Sequence, residues 1–227
     1  MNQEVIRKIQ ELVISEILEG RPLTEEQLAR RLKVSRTPVR EALSRLEEQR
    51  LVERRKNSGI KLRQPSLREM VEVYDLRTAL EGMAARILAA HINREQLQEL
   101  KALCQKYDRL FGLKHVSGHD FDRADIRIHQ KLVDFCGNEH LKRVSGAFQV
   151  LTMSFHLTSK LIGDEIPQVP PRFTHGQILA ALKNRNPDQA ESLIRQHIQE
   201  SKQNIVGKIL GPTFNSAEGG LQTKPAS

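Results

Sequence analysis

The stretch from Val34 to Leu46 constrains the fold more than any other part of this chain. Its apolar residues fall at i, i+3, i+4 and i+7, so they form one stripe if the stretch is helical. Ser35 or Thr37 suits the N-cap, and Pro38 suits a first turn whose N–H groups have no helical partner. The sequence therefore predicts an amphipathic helix. Its apolar stripe consists of Val39, Ala42, Leu43 and Leu46.

The polar face of this predicted helix carries arginines and hydroxyls near its N-terminal end. Thr37, Arg40 and Ser44 lie opposite the apolar stripe, with Arg36 in the first turn and Arg45 on the flank. Arginine can bind a guanine edge in the major groove through two hydrogen bonds, and hydroxyls can reach phosphates. The stretch is either a DNA-recognition helix or an ordinary helix with a solvated basic face, and its flanks decide between the two.

The flanking segments favour the DNA-binding interpretation. Upstream, residues 24–27 form a capping box that opens a short helix ending at Lys33. Downstream, residues 51–55 and 60–63 are predicted strands, and residues 56–59 have the composition of a hairpin turn. A helix-turn-helix followed by a basic hairpin is a winged helix-turn-helix, so three elements agree.

Positive charge is concentrated in the same region. The formal net charge is +8, and residues 30–63 hold twelve Lys or Arg against four Glu, which accounts for the whole excess. We therefore expect salt-sensitive attraction to phosphates. There is no apolar run of transmembrane length, and the start of the chain does not resemble a signal peptide. Cys104 and Cys136 lack metal or redox spacing, so we expect a cytoplasmic protein with reduced thiols and no membrane contact.

Helical periodicity dominates the rest of the chain and predicts a mainly α fold. A first helix over residues 5–17 would end at Gly20, and Gln64-Pro65 marks a domain boundary. We predict a winged helix-turn-helix domain over residues 1–64, an all-helical bundle over 66–209 and a disordered tail over 210–227. Five predicted helices of the bundle cover residues 66–88, 93–103, 141–161, 173–183 and 187–209, and a further helix contains residues 125–133 and stops at Gly137-Asn138.

Four polar residues of the bundle have suggestive spacing. Asp125 and His129 are i and i+4 on one helix, and His175 and His197 are equidistant from Asn186 in the last turn. In an antiparallel hairpin, the last two would lie at the same level, each about 16 Å from the turn. One carboxylate and three imidazoles would suit Zn, Ni, Mn or Fe. Spacing alone leaves open that these are ordinary packing histidines.

The N-terminal region resembles the DNA-binding domain of GntR-family bacterial transcription regulators. The matching residues are Ser35 to Leu43, Leu46-Glu47, Leu51-Val52 and Asn57-x-Gly59. The loop at residues 20–23 is shorter than in the family, and Lys33 and Arg50 replace glycines that are common there. The resemblance implies DNA contacts from Arg36, Thr37, Arg40 and Gly59, and we add Ser35 and Arg45 from the same helix.

The C-terminal region resembles the FadR-type, or FCD, effector domain of the same regulators. The matching segments are residues 174–182 with Ala190 and His197, Leu76-Arg77-x-x-Leu80-Glu81, Asp125-x-x-x-His129 and Gly137-Asn138-x-x-Leu141. Family members that have the Asp and the three His at these positions bind a divalent metal in the bundle. The resemblance therefore implies one divalent ion per chain, with zinc preferred over nickel, manganese or iron. The implied ligands are Asp125, His129, His175 and His197.

The resemblance also implies a small carboxylate effector, bound to an open metal position and to polar groups nearby. Arg77 either meets the effector carboxylate or pairs with a neighbouring acidic residue, and Asn138 is either a helix cap or an effector contact. His156 is the third candidate. Residues 144–159 lack the arginine that many relatives have, which leaves His156, Lys160 or Thr152 to bind the effector's far end. We expect surface or packing roles for His91, His115, His119 and His140.

These features together predict a DNA-binding repressor controlled by a metabolite. One recognition helix reads only a few base pairs, so we expect a homodimer on a two-fold symmetric operator. Two alternatives remain. One is a DNA-binding protein whose metal is purely structural, without an effector. The other is a metal-dependent hydrolase, which would leave the basic winged domain unexplained and for which the sequence offers no well-placed general base; we therefore expect no enzymatic activity.

Overall fold

The computed structural model of the protein describes residues 24–48, 50–55, 59–110, 118–158 and 172–210, together with Ile9. The described residues form eight α-helices and one two-stranded sheet, so the fold is mainly α as predicted. They separate into two compact units. Residues within 1–73 and 142–158 form the first unit, and residues within 74–141 and 159–227 form the second. None of the described helices has the length and hydropathy that crossing a membrane requires.

A helix-turn-helix opens the first unit. Helix α1 (Glu25–Leu32) begins at the predicted capping box, in which the Thr24 hydroxyl accepts the Gln27 N–H and the Gln27 side chain accepts the Thr24 N–H. Helix α2 (Arg36–Glu48) follows after a short turn. All four residues of its predicted apolar stripe are buried, which anchors α2 in the core of the unit.

The turns on either side of α2 place two non-glycine residues in the left-handed region. Lys33 has a φ of 53° and Arg50 a φ of 56°. This conformation costs an L-residue about 1–2 kcal/mol, which explains why glycine is common at these turns. The backbone therefore keeps the glycine-type geometry despite the two replacements. Of the two predicted caps, Ser35 directly precedes the helix, whereas Thr37 lies within its first turn.

The wing is an antiparallel hairpin of β1 (Val52–Arg55) and β2 (Gly59–Leu62), paired from Val52↔Leu62 to Arg55↔Gly59. The predicted bounds, 51–55 and 60–63, differ from these by one residue. At the open end, the Leu51 N–H donates to the carbonyl of Leu46 in α2, so the ladder begins one residue later. The predicted turn residues 56–58 lie outside the described residues.

Four helices follow the wing: α3 (Leu67–His91), α4 (Arg94–Leu110), α5 (Gly118–Phe135) and α6 (Glu139–Thr158). Three of them begin at side-chain caps. Ser66, Asn93 and Asn138 each accept the N–H of the residue three positions later. The observed starts therefore agree with the capping signals in the sequence, and α6 begins two residues before the predicted Leu141 because Asn138 caps it.

The last two helices, α7 (His175–Lys183) and α8 (Pro187–Leu210), form a helical hairpin in the second unit. Helix α7 begins two residues after the predicted start at Phe173. The Glu200 carboxylate accepts the N–H groups of Arg172 and Phe173, which keeps both residues outside the helix. A second capping box, formed by Thr174 and Gln177, then starts α7.

Several predicted features lie outside the described residues. They are the helix over 5–17 apart from Ile9, which is helical and buried, the last three residues of the predicted helix over 141–161 and the tail beyond 210. The predicted domain boundaries at 64–66 and 209–210 stay predictions, because α3 continues without a break from the first unit into the second.

Candidate metal centre and DNA-recognition helix

Four side chains with metal-binding groups meet inside the second unit. Asp125 and His129 lie one turn apart on α5, His175 is the first residue of α7, and His197 lies on α8. The Nε2 atoms of the three histidines lie 3.2 to 3.7 Å from the Asp125 carboxylate oxygens. One ligand atom from each residue lies within 4.8 Å of the other three. The structure thus brings together all four residues that the sequence analysis selected.

The α7–α8 hairpin has the symmetric register that the spacing predicts. The rings of His175 and His197 lie 4.4 Å apart between centroids. The ring of His129 lies 5.5 Å from the first and 5.2 Å from the second. All three imidazoles are buried, whereas the Asp125 side chain is 22% exposed. The carboxylate is therefore the member of the cluster with access to solvent.

Two of the three histidines are oriented by hydrogen bonds on the side away from the cluster. His129 Nδ1 lies 2.5 Å from the Glu81 carboxylate, and His197 Nδ1 lies 2.6 Å from the Phe173 carbonyl. Both acceptors require a proton on Nδ1, so Nε2 is the nitrogen that faces Asp125 and can bind a metal ion. Glu81 was absent from the predicted site, because only the fold brings it to a histidine 48 residues away.

The remaining imidazole nitrogens have no hydrogen-bond partner. Both ring nitrogens of His175 and Nε2 of His197 are buried and unpaired among the described residues. His175 Nε2 lies 3.2 Å and His197 Nε2 lies 3.6 Å from Asp125, but neither contact has the geometry of a hydrogen bond, so both are electrostatic contacts. Buried polar atoms are normally paired. Unpaired imidazole nitrogens that surround one carboxylate fit a divalent metal ion.

Charges within the cluster shift the pKa values of its members. Burial would raise the pKa of Asp125, but interactions with His129, His175 and His197 hold it well below its ordinary value. Burial, with repulsion from His197, lowers the pKa of His175 to about 4. Burial opposes the charged form of His197 too, but contact with Asp125 outweighs it and raises the pKa. At neutral pH, Asp125 is therefore ionised and His175 neutral, as ligation requires.

An apolar pocket adjoins the cluster within the second unit. His129 and His175 line it together with aliphatic side chains of α4, α5, α7 and α8, including Leu100, Leu132 and Ile178. Cys104 also lines this pocket, and burial raises the pKa of its thiol to about 12. Cys104 is not among the four residues whose ligand atoms converge.

The three predicted effector residues have different surroundings. Arg77 is buried, and its Nε donates to Glu81 at 2.7 Å, so the structure shows the ion pair that was one of its two expected roles. Asn138 is exposed and caps α6 by accepting the Leu141 N–H at 3.0 Å. His156 is half-buried on α6, in the first unit. An effector contact by any of the three stays a prediction.

The other four histidines lie away from the cluster as far as the structure describes them. His91 and His140 are exposed, at the end of α3 and the start of α6. His115 and the side chain of His119 lie outside the description.

The predicted DNA-contacting residues of α2 are exposed at the start of the helix. Ser35, Arg36, Thr37 and Arg40 all face solvent, whereas Arg45 is half-buried and donates to Glu41 at 2.9 Å. The predicted contact Gly59 lies at the start of β2 with a φ of 72°, a conformation that favours glycine. This backbone conformation therefore explains why glycine stands at position 59, in addition to the DNA contact that the resemblance implies.

Two family models match the chain. The model described as bacterial regulatory proteins of the gntR family matches residues 1–62. The FCD domain model matches residues 72–200, which is more than half of the chain. Together they cover both the helix-turn-helix and the helices that carry the metal-binding cluster.

Relatives and solved structures agree with these matches. The transcriptional repressor RspR of Escherichia coli K12 is 28% identical, covering 90% of this chain and 89% of RspR. The Nta operon transcriptional regulator of Aminobacter aminovorans is 27% identical, covering 85% and 88%. The structure of E. coli McbR/YncC aligns with a TM-score of 0.68 at 17% identity, over 90% of this chain and 98% of that one, which supports the fold.

These relatives are regulators of transcription, which confirms the prediction that the chain is not an enzyme and removes the hydrolase alternative. The winged helix-turn-helix accounts for the basic segment, and the helical region has the expected family. The chain is a DNA-binding transcriptional regulator of the GntR family, with an N-terminal gntR-type domain and a C-terminal FCD domain.

Proposed function

We propose that this regulator is a cytoplasmic repressor whose operator affinity is set by a small carboxylate bound at a metal site in the FCD domain. One divalent ion per chain, with zinc preferred over nickel, manganese or iron, would be held by Asp125, His129, His175 and His197. The observation that carries this proposal is the set of buried, unpaired imidazole nitrogens around one carboxylate. When bound, such an ion supplies a Lewis-acidic position for a carboxylate oxygen.

Unpaired polar groups on α6 support a small-molecule effector. Ser145 Oγ and Gln149 Nε2 are buried and have no hydrogen-bond partner among the described residues. Thr152 and His156 continue the same helical stripe, at i+7 and i+11 from Ser145. Because buried polar groups are normally satisfied, a ligand with hydroxyl or carboxylate oxygens would pair with Ser145 Oγ and Gln149 Nε2. His156 is the predicted effector residue that lies on this stripe.

Exposed apolar side chains on α3 support a homodimer. Leu76 and Met83 are 47% and 43% exposed and lie seven residues apart, hence on one face of the helix. Large exposed apolar side chains that share a face often mark a protein contact. A dimer would also present two recognition helices to a two-fold symmetric operator.

The metal is tested by elemental analysis of the purified protein. We expect about one divalent ion per chain, lost when His175→Ala is combined with His197→Ala. His91→Ala, which removes an exposed histidine outside the cluster, is the matched control and should keep the ion. Stoichiometric metal in the double variant would exclude this ligand set.

A purely structural metal is the second candidate, favoured by the burial of all three imidazoles. The two candidates differ in the effect of organic acids. Small mono- and dicarboxylates are titrated into metal-loaded protein, and operator binding is measured with and without each acid. An effector-controlled repressor loses operator affinity with at least one acid that binds it. If acids never change operator binding while metal removal unfolds the helical domain, the structural role is correct.

A further inference from the structure

Glu81 is a buried carboxylate that links α3 to the candidate metal centre within the second unit. Its side chain is 1% exposed, and both of its oxygens have a partner. Oε1 accepts from Arg77 Nε at 2.7 Å, and Oε2 accepts from His129 Nδ1 at 2.5 Å. The three side chains thus form a chain from a guanidinium through a carboxylate to an imidazole of the cluster.

The partners of Glu81 keep it ionised. Burial disfavours a charged carboxylate, but the guanidinium of Arg77 lies beside Glu81 and both of its oxygens accept hydrogen bonds, which compensates for that cost. Removing a carboxylate from water costs several kcal/mol unless the charge is paired and hydrogen-bonded. Arg77 supplies that pairing, and its guanidinium also lies over the Tyr74 ring at 4.9 Å.

The three histidines of the cluster differ in what orients them. His129 donates to a charged acceptor, Glu81, whereas His197 donates to a neutral one, the carbonyl of Phe173. Nδ1 of His175 has no partner among the described residues. An imidazole that donates to a carboxylate is both fixed in its tautomer and a stronger electron donor. Of the three candidate histidine ligands, His129 is therefore the one whose ring orientation and tautomer are fixed most firmly.

We propose that Glu81 is a positioning residue of the metal site, which fixes His129 with its proton on Nδ1 and its Nε2 lone pair toward Asp125, and that Arg77 holds Glu81 in place. This inference rests on the proposed metal site. It gives Arg77 a role in metal binding that requires no contact with an effector. The competing explanation is that Arg77 and Glu81 form an ion pair that only stabilises the fold.

The test uses paired substitutions, because removing Glu81 alone would leave Arg77 as an unpaired buried cation. In the full-length protein, Arg77→Met is combined with Glu81→Gln, which keeps an acceptor oxygen but removes the charge. It is also combined with Glu81→Met, which removes both. The matched control is Arg86→Met with Glu191→Gln, an ion pair between α3 and α8 that contacts no histidine of the cluster.

The first readout is histidine nitrogen NMR of metal-free protein. We expect the Nδ1-protonated form of His129 in the wild type and in the Gln variant, and mixed tautomers in the Met variant. The second readout is zinc affinity, measured by competition with a chromophoric chelator. We expect a loss of about 10–100-fold, larger for the Met variant than for the Gln variant. The control pair should change neither readout.

Wild-type zinc affinity and an unchanged His129 tautomer in the Met variant would overturn the proposal. If circular dichroism shows the Met variant unfolded, the Gln variant carries the test, and unchanged zinc affinity in it has the same consequence. If the wild type binds no metal, the proposed metal site fails. The tautomer of His129 in metal-free protein then still decides whether Glu81 orients it.

Discussion

The arginines at the start of α2 are paired with glutamates of α1. Arg40 lies 3.4 Å from Glu25, and Arg36 lies 3.4 Å from Glu26. Both arginine side chains are more than 60% exposed. Ion pairs of this kind contribute roughly 0–1 kcal/mol, so DNA can replace the glutamates at little cost. The pairs hold the guanidinium groups near the N-terminal end of the helix without fixing them there.

Arg40→Ala should weaken specific operator binding by about 1–3 kcal/mol if Arg40 contacts a base edge. The measurement is a fluorescence anisotropy titration with operator and with scrambled DNA at constant salt. Arg68→Ala removes the same charge from an exposed side chain of α3 and should have a smaller, sequence-independent effect. Equal losses for the two variants on both DNAs would assign Arg40 to phosphate contact alone.

Metal affinity should rise as the pH increases through neutrality, because His197 holds a proton that the ion must displace. Its folded-state pKa is raised above 6.5, so its contribution to metal-free stability is full below 6.5 and is lost as the pH rises through the folded value. Asp125 is already ionised and His175 already neutral. We therefore expect metal binding to release the proton of His197, with an affinity that rises as the pH increases through the folded-state pKa of this residue.

Isothermal titration in buffers of different ionisation enthalpy measures that proton release. Repeating the titration at pH 6, 7 and 8 gives the slope of metal affinity against pH. Zinc binding that releases no proton and has the same affinity at all three values would contradict the assignment of the proton to His197.

At the scale of elements, α3 and α8 approach each other closely at Gly82. A Cβ there would lie 2.7 Å from Nε and 2.9 Å from Cγ of Arg195. Polar pairs bind the same two helices on either side of this point: Lys202 with Asp75, Gln199 with Thr78, and Arg86 with Glu191. Gly82 therefore leaves room for the side chain of Arg195, which a Cβ at this position would displace.

Gly82→Ala should lower the free energy of unfolding by about 1 kcal/mol. Overpacking costs about 1–3 kcal/mol, and the better helix propensity of alanine returns about 0.5–1 kcal/mol. Gly146→Ala in α6 is the matched comparison, because no other atom lies within 4 Å of its Cβ. That variant should gain about 0.5–1 kcal/mol. Urea unfolding measures both free energies. Equal changes in the two variants would mean that the Arg195 side chain moves aside at no cost.

Local signals in the sequence predicted the starts of most helices. The capping box at Thr24 and the cap at Asn93 involve residues three positions apart, so their partners are visible in the sequence. The start of α7 was misplaced because Glu200, 27 residues beyond Phe173, decides it. Contacts of this kind depend on the fold and leave no local pattern.

The four residues of the metal-binding cluster were predictable from local spacing, whereas Glu81 was not. The spacing of Asp125 and His129 and the symmetry of the last hairpin follow from helix geometry alone. The contact between Glu81 and His129 requires the packing of α3 against α5, which no periodicity reveals. The outer contacts of a site are thus harder to predict than its ligands.

At the scale of the whole molecule, Arg63 joins segments that belong to different family domains. Its Nε donates to the Arg50 carbonyl at 2.7 Å, and its Nη groups bind both oxygens of Glu69 in α3. Its own carbonyl accepts the hydroxyl of Ser154 in α6. Ser154 lies within the FCD match, whereas Arg50 lies within the gntR match. All four residues lie in the first compact unit. Hydrogen bonds of Arg63 therefore connect the turn after α2, the end of the wing, α3 and α6.

Glu69→Gln should therefore weaken the coupling between effector and operator while metal binding stays unchanged. The pairing of Arg63 with both Glu69 oxygens depends on the carboxylate, which an amide cannot replace in full. The coupling factor is the ratio of operator affinities without and with a saturating organic acid. By linkage, the same factor separates the acid's affinity for free protein from that for the operator complex, so the two ratios check each other.

Glu72→Gln, which removes an exposed ion pair one turn away on α3, is the control and should keep the wild-type factor. A wild-type factor in Glu69→Gln, measured from both directions, would show that the signal between the two domains does not pass through Arg63.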